Sequence, residues 1–143
     1  MDKYDKIKLE NQLCFPIYAL SREIIKLYKP LLDKFNLTYT QYITMLVMWE
    51  DEKITFKNLG KRLHLDSGTL TPVLKKLEAM ELIIKYRTKE DDRVVVAELT
   101  EKGRALKEDI LEVPEKMFCN SGMNAREALE LKAKLDKMLK LFE

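Results

Sequence analysis

Each end of the chain carries an apolar stripe with the spacing of one helix face. Near the amino terminus the intervals are 4, 3, 4, 3 and 4, set by Leu13, Ile17, Leu20, Ile24, Leu27 and Leu31. Near the carboxyl terminus they are 3, 4, 3 and 4, set by Ala128, Leu131, Leu135, Met138 and Phe142. Stripes this narrow are typical of helices that pack along a seam against another helix. We therefore predict dimerisation helices at about residues 9–34 and 105–143 of a two-fold symmetric homodimer. The alternative is that both helices pack on their own domain.

Between these ends, short helical patterns alternate with tight turns. One helix is expected after Thr38, with Gln41 completing a capping box, and a short helix is expected after Thr55. A third helical pattern follows within a few residues, beginning at DSGTL. We expect Pro72 to lie near its first turn, where a proline costs little because the backbone N–H groups there have no helical partner.

The apolar period then changes from that of a helix to that of strands. IIKYR and RVVVAELT are β-branched runs separated by the polar cluster TKEDD, which predicts a hairpin, and Thr100 caps another helix. Two short helices joined by a tight turn and followed by a hairpin indicate a winged helix-turn-helix at about residues 38–100. The predicted fold class is mainly α (α+β), as a single domain over residues 1–143.

In this architecture the second helix of the pair enters the major groove of DNA. Short polar side chains at its leading end can approach base edges, and lysines one to two turns further on can hold the backbone. The candidates on this helix are Asp66, Ser67, Thr69, Thr71, Lys75 and Lys76. The net charge of +2 gives little support by itself, and residues 57–104 carry only 11 cationic against 8 anionic side chains, a net of +3. DNA binding therefore depends on where the charges converge.

The hairpin tip supplies further candidates for contact with DNA, namely Arg87, Lys89, Asp91 and Arg93. A basic tip is suited to a narrow minor groove. We expect the Asp91 carboxylate to orient the Arg93 guanidinium through a charge-assisted hydrogen bond. The alternative is that the tip is only a solvated turn.

Cys14 has three interpretations: a packed apolar side chain, half of a structural disulfide, or a reactive thiol. A thiol reacts as its thiolate, so a reactive cysteine needs groups that favour the anion. If Pro16 lies in the first helical turn, Cys14 lies near that helix's N-terminus, where free N–H groups stabilise negative charge. Hydrogen bonds donated by the phenols of Tyr28 and Tyr39 would be a second way to stabilise the thiolate.

Over nearly the whole chain, the sequence resembles regulators of the MarR family. The resemblance lies in DSGTLTPVLKKLE at the recognition helix and in KEDDRVVVAELTEKG at the wing and the helix that follows. LENQLCF and LYKPLLDKFNLTYTQY are similar to the organic-hydroperoxide sensors of the OhrR group. This implies a homodimeric repressor that leaves a pseudo-palindromic double-stranded operator when its N-terminal cysteine is oxidised by an organic hydroperoxide. It also implies that Tyr18, Tyr28 and Tyr39 surround Cys14, partly across the dimer.

Cys119 is the second cysteine of the chain, 105 residues from Cys14 and near a predicted helix break at Pro114, Asn120, Ser121 and Gly122. Some OhrR-like proteins use a second cysteine of the other subunit, and this resemblance implies an intersubunit disulfide between Cys14 and Cys119. In the alternative scheme, a small-molecule thiol caps oxidised Cys14 and Cys119 is a passive buried residue.

Two other functions remain open at this point. A regulator of the same fold would bind a small aromatic ligand near Tyr42, Met45 and Trp49, although these are also good core residues. A thiol peroxidase would need only the reactive cysteine, but it would not need the helix-turn-helix and hairpin. We expect no catalytic site, cofactor or metal, because one histidine, His64, and two distant cysteines give no ligand spacing.

The sequence also predicts where the protein works. The longest uncharged run, residues 35–49, is too short and too polar for a membrane span, and the first ten residues have no apolar core of a secretory signal. We therefore expect a cytoplasmic protein with no membrane partner.

Overall fold

The computed structural model describes residues 2–143, of which the helices make up the larger part. The α-helices are α1 (Cys14–Asp33), α2 (Tyr39–Asp51), α3 (Phe56–Leu63), α4 (Ser67–Ala79), α5 (Glu101–Asp109), α6 (Glu112–Asn120) and α7 (Ala125–Leu139). The strands are β1 (Lys53–Thr55), β2 (Ile83–Arg87) and β3 (Val95–Leu99). Single 3-10 turns span Lys3–Ile7, Leu9–Asn11 and Lys140–Phe142. The fold class is the predicted winged helix, with 69% of the residues in helices.

The helix starts follow the capping residues read from the sequence. The Thr38 hydroxyl accepts from the Gln41 N–H at 3.3 Å, and the Gln41 side chain accepts from the Thr38 N–H at 3.0 Å, which completes the predicted capping box. Thr100 caps α5 and Asn124 caps α7 in the same way, each by accepting a backbone N–H three residues later. These caps satisfy donors that the first helical turn leaves free.

The sheet has three antiparallel strands in the order β1–β3–β2. β2 and β3 form the predicted hairpin, with Ile83 opposite Leu99 and Arg87 opposite Val95. β1 was not predicted, because three residues are too few to show an alternating pattern. Its place is set by β3, where Ile54 pairs with Ala97.

The core lies between the sheet and helices α2 to α5. α2 is buried on most of its circumference and supplies Met45 and Met48, both without measurable exposure. At its end, the Trp49 indole N–H donates to the Gly103 carbonyl oxygen at 2.9 Å. The indole N–H is the only polar group of the Trp49 side chain, and this bond satisfies it while it joins α5 to α2 in the core.

Both terminal regions differ from the prediction. α1 begins at Cys14 rather than near residue 9, because residues 3–11 form the two 3-10 turns and Lys8 and Gln12 are extended. The predicted break at Pro114 is wrong: Pro114 is the third residue of α6, where a proline's missing N–H is tolerated. The true break follows Asn120, with Gly122 at φ +75° before α7.

We predict that Gly103→Ala destabilises the protein by roughly 1–3 kcal/mol, the usual cost of overpacking. An added Cβ would clash with the Leu82 carbonyl oxygen and would lie 2.7 Å from Leu99 Cδ1. Urea unfolding followed by Trp49 fluorescence at one fixed protein concentration measures the change.

Gly68→Ala is the matched control, because position 68 is also helical and the only atom that its Cβ would approach is Asp66 Oδ1 at 3.4 Å. Alanine there is expected to stabilise α4 by about 0.5–1 kcal/mol. Equal stability of the Gly103→Ala and wild-type proteins would contradict the proposed tight contact between α5 and the turn at Leu82.

Candidate functional site

The helix-turn-helix consists of α3, α4 and the turn at residues 64–66. His64 ends α3 in the left-handed region, at φ 54° and ψ 40°, and its N–H bonds to the last turn of that helix. Asp66 then begins α4: its carboxylate accepts the Thr69 N–H at 2.8 Å. The same hydrogen bond, made by the Thr69 backbone, holds the pKa of Asp66 below its usual range. The tight turn therefore fixes the angle between the two helices.

Some polar groups at the N-terminal end of α4 form hydrogen bonds within the helix, and others are free to contact DNA. Asp66 is the N-cap, and the Thr71 hydroxyl donates to the Ser67 carbonyl oxygen at 2.6 Å. The side chains of these two residues are therefore partly engaged within the helix. The other predicted contacts on α4 all lie on its exposed side, namely Ser67, Thr69, Lys75 and Lys76.

Pro72 lies deeper in α4 than the sequence suggested. Because the helix begins at Ser67, Pro72 is its sixth residue and is interior to the helix. It has no N–H to donate to the carbonyl oxygen of Gly68, four residues earlier. Both residues are exposed, so this interruption of the backbone ladder lies on the outer surface of α4.

The hairpin tip contains the predicted pair of Asp91 and Arg93. The Arg93 guanidinium donates to both carboxylate oxygens of Asp91, at 3.1 and 3.2 Å, and its backbone N–H donates to Oδ1 at 2.9 Å. The hydrogen bond from the Arg93 side chain is the main reason that the pKa of Asp91 is lowered. Arg93 is still 90% exposed, so it is oriented without being covered.

The base of the tip is fixed by two further contacts. Arg87 donates to the Asp92 carbonyl oxygen at 2.6 Å, and the Thr88 hydroxyl donates to the Asp91 carbonyl oxygen at 2.8 Å. Lys89 is exposed at the tip. An open cleft of about 990 Å³ separates this hairpin from the helix pair, with Ser67 and Thr71 on one wall and Arg93 on the other. Helix α4 and the tip thus flank one concave, partly basic surface.

Cys14 is the first residue of α1 and its side chain is exposed. Pro16 is the third residue of this helix, in the first turn as expected. No side chain caps the helix at Leu13. The thiol therefore lies at a helix end whose N–H groups and dipole favour an anion.

The three predicted tyrosines lie at two places. Tyr18 is 59% exposed and four residues from Cys14, on the same side of α1, with the Arg22 guanidinium 5.7 Å from its ring centre. Tyr28 contacts Tyr39 with ring centres 4.8 Å apart. Fourteen residues of helix separate Tyr28 from Cys14, about 21 Å along the axis, which is far beyond hydrogen-bond reach within one protomer.

Tyr42 completes this aromatic cluster, with its ring centre 5.7 Å from that of Tyr28 and 6.4 Å from that of Tyr39. Burial, followed by the neighbouring Tyr39 and Tyr42, raises the pKa of Tyr28 to about 12. Burial likewise raises the pKa of Tyr39. Both phenols therefore keep their protons, and so remain donors, throughout the neutral range.

Cys119 is exposed, in the last turn of α6. The alternative that it is a passive buried residue is wrong for the protomer. The Glu112 carboxylate at the start of α6 bonds to the Lys34 ammonium at 2.5 Å, which ties α6 to the end of α1 opposite Cys14. Both thiols are free and accessible in the protomer.

The ligand pocket considered near Tyr42, Met45 and Trp49 is not supported. All three side chains are buried in the core cluster. The indole N–H of Trp49 is already bonded to Gly103. Among residues 2–143, no group of three or more potential metal ligands comes together, and no helix combines the length and apolar character that crossing a bilayer requires.

Comparison with known proteins agrees with this geometry. The family described as transcriptional regulator SarA/Rot matches residues 26–110. An organic hydroperoxide resistance transcriptional regulator of Bacillus subtilis is 49% identical over 138 residues, which cover 96% of this chain and 94% of that protein.

Among solved structures, reduced AbfR of Staphylococcus epidermidis bound to DNA is 34% identical with a TM-score of 0.80, covering 99% of this chain and 100% of that one. AbfR with its disulfide formed gives a TM-score of 0.66 at 33% identity, covering 96% of both chains.

These relatives are transcriptional regulators and not enzymes, so a thiol peroxidase is not supported. The AbfR structure matches the winged-helix fold of this chain over nearly its full length. The chain belongs to the MarR family of transcriptional regulators, in the group that includes the organic hydroperoxide resistance regulators.

Proposed function

We propose that this protein is a homodimeric repressor that releases operator DNA when an organic hydroperoxide oxidises Cys14. The observation that carries the proposal is the exposed thiol of Cys14 at the N-terminus of α1. The same chain contains a winged helix-turn-helix, whose second helix α4 would bind in the major groove. The similarity to an organic hydroperoxide resistance regulator supports the nature of the oxidant.

The uncovered stripes support the dimer. Leu13, just before α1, and Leu20 of α1 are 73% and 54% exposed, although their spacing is that of a packed seam. α7 is 15 residues long and none of them is buried. A helix of this length is marginal in water without tertiary packing, so both helices need a second chain to cover their apolar sides.

A two-fold dimer gives the DNA-reading surface its spacing. Specific binding to two half-sites requires the two α4 helices to lie about 34–36 Å apart, one turn of the duplex. Ser67, Thr69 and the α4 lysines would then face successive major grooves, with Arg93 at the adjoining minor groove. A pseudo-palindromic operator follows from the symmetry of the protein.

In this proposal Tyr28 and Tyr39 act on the thiol of the other subunit. Tyr28 is about 21 Å from Cys14 along the same helix, so it can donate to a thiolate only across the dimer. Tyr28 and Tyr39 form one protonated pair, with ring centres 4.8 Å apart, which fits two donors converging on one anion. Tyr18, four residues after Cys14 on α1, contacts the thiol of its own protomer in this proposal.

The chemistry has two balanced steps. The Cys14 thiolate attacks the outer peroxide oxygen, the O–O bond breaks, and the products are cysteine sulfenic acid and an alkoxide, which takes a proton from water and leaves as the alcohol. The Cys119 thiol of the partner then attacks the sulfenic sulfur, which forms the disulfide and releases water. The exposure of both thiols favours this route, and the alternative is capping of Cys14 by a small-molecule thiol.

We predict that an alkyl hydroperoxide converts the wild-type protein into a covalent dimer that dithiothreitol reverses. Cys14→Ser and Cys119→Ser each remove one sulfur while keeping a side chain of similar size, and both are expected to abolish the dimer band on a non-reducing denaturing gel. DNA release is measured in the same samples. A dimer band that persists in Cys119→Ser would contradict the pairing, and release that survives Cys14→Ser would contradict the redox mechanism itself.

We predict that Tyr28→Phe slows the reaction of Cys14 with an alkyl hydroperoxide by about tenfold or more. A hydrogen bond to a charged group contributes roughly 1.5–3 kcal/mol, and this variant removes only the donor. Stopped-flow kinetics of thiol consumption in Cys119→Ser protein measure the rate. Tyr86→Phe, which removes a hydroxyl from the wing strand β2, is the control and should react at the wild-type rate.

We predict that Arg93→Ala weakens DNA binding by about tenfold and lowers the slope of affinity against salt by about one. The probe is a duplex selected by the reduced wild-type protein from a randomised library, and fluorescence anisotropy measures binding. Arg126→Ala is matched, because Arg126 is 89% exposed and also pairs with a carboxylate, Glu130, at 3.1 Å, but lies on α7. Equal effects of the two variants would contradict a wing contact.

A further inference from the structure

The outermost ridge of α4 is neither cationic nor hydroxylic along most of its length. The core side of the helix is set by Leu70, Val73, Leu74 and Leu77, all buried. At 100° per residue, the line opposite this side passes close to Gly68, Pro72, Lys75 and Ala79. The leading half of this ridge therefore presents a glycine and a proline ring, and Lys75 follows one turn later.

Gly68 and Pro72 act on one another through the backbone. Pro72 is interior to α4 and has no N–H, so the Gly68 carbonyl oxygen lacks the donor that an α-helix places four residues later. Both residues are exposed on the same side of the helix. A proline in a helix interior costs about 3 kcal/mol, so the helix tolerates a substantial local penalty here.

Two other polar side chains near the start of α4, those of Asp66 and Thr71, already make hydrogen bonds within the helix. The Thr71 hydroxyl is donated to the Ser67 carbonyl oxygen, and the Asp66 carboxylate accepts the Thr69 N–H. Gly68 has no side chain, and the one atom within 4 Å of a Cβ built on it, apart from its chain neighbours and the helix backbone, is Asp66 Oδ1 at 3.4 Å, so the space beside its Cα is open. The helix backbone can approach a base edge closely at this point.

We propose that Gly68 and Pro72 determine base specificity: the Gly68 carbonyl oxygen accepts a hydrogen bond from an exocyclic amino group, and the Pro72 ring packs on a thymine methyl group. In the major groove the amino group is N6 of adenine or N4 of cytosine, and the methyl group is found only on thymine. The two residues are about 6 Å apart along the helix axis, close to the distance between bases two steps apart. This inference rests on the proposed DNA-binding function and adds a reading element made of backbone and ring.

Pro72→Ala tests both contacts in one change. Alanine removes the ring and supplies an N–H that closes the helical hydrogen bond with the Gly68 carbonyl oxygen. Because it replaces an interior proline, it is expected to raise the stability of α4, so loss of folding does not confuse the result. Circular dichroism melting verifies this.

The experiment selects half-sites for reduced wild-type and Pro72→Ala protein from a duplex library with a randomised centre. In the selected wild-type duplex, each thymine is then replaced by deoxyuridine, which lacks only the methyl group. One replacement is expected to weaken wild-type binding by about five- to tenfold and to leave Pro72→Ala unaffected. At the base pair that supplies the amino group, the variant should accept all four bases, and the wild-type choice of adenine or cytosine there distinguishes the two donors.

Pro30→Ala is the matched control, because Pro30 is an interior, exposed proline of α1 and its replacement also restores a helical N–H. It should select the wild-type sequence with the wild-type response to deoxyuridine. This inference is overturned, while the proposed function stands, if Pro72→Ala selects the same half-site and if replacing thymine with deoxyuridine weakens its binding as much as it weakens wild-type binding. If reduced wild-type protein selects no sequence at all, both fail.

Discussion

A buried hydrogen bond from Trp49 Nε1 to the Gly103 carbonyl oxygen, 2.9 Å long, joins the central helix α2 to α5. α5 leads directly into α6, which carries Cys119, and α2 packs on the helix pair that would read DNA. If the bond were lost, the buried indole N–H would be left without a partner, at a cost of about 1–3 kcal/mol. The helix that carries Cys119 and the helices proposed to bind DNA are therefore connected through one core.

α1 connects this core to the proposed sensor. Its C-terminal part is anchored: Leu32 is buried, Tyr28 packs against the core, and Lys34 pairs with Glu112 of α6. Cys14 lies eighteen residues before Leu32, about 27 Å away along the axis, where α1 has no core of its own to pack on. A bond formed at that free end would act on the core through the whole length of the helix. A differential stability of about 5.5 kcal/mol moves a population from 99% of one state to 99% of the other.

The features that depend on residues close together in the sequence were predictable from it. The capping box of Thr38 and Gln41, the hairpin and the pair of Asp91 and Arg93 each depend on residues within a few positions of one another. The strand β1 and the tyrosine cluster depend instead on contacts between residues far apart in the sequence. β1 exists because β3 offers it a partner, and Tyr42 joins Tyr28 and Tyr39 because α1 and α2 are packed together. The distance of about 21 Å between Cys14 and Tyr28 follows from their spacing once both lie on α1, and it excludes a hydrogen bond between them within one protomer.

The small net charge of the proposed DNA-reading surface affects how such a repressor would release DNA. Residues 57–104 carry a net charge of only +3, and Asp66 and Asp91 lie among the groups that would face DNA. Non-specific binding, which depends on counterion release by phosphate contacts, should therefore be weak. Most of the affinity would come from two half-sites bound at once by a dimer of the correct spacing, so that one subunit raises the effective concentration of the other. A change that moves the two α4 helices out of register with one helical turn removes this advantage without altering any residue that contacts a base.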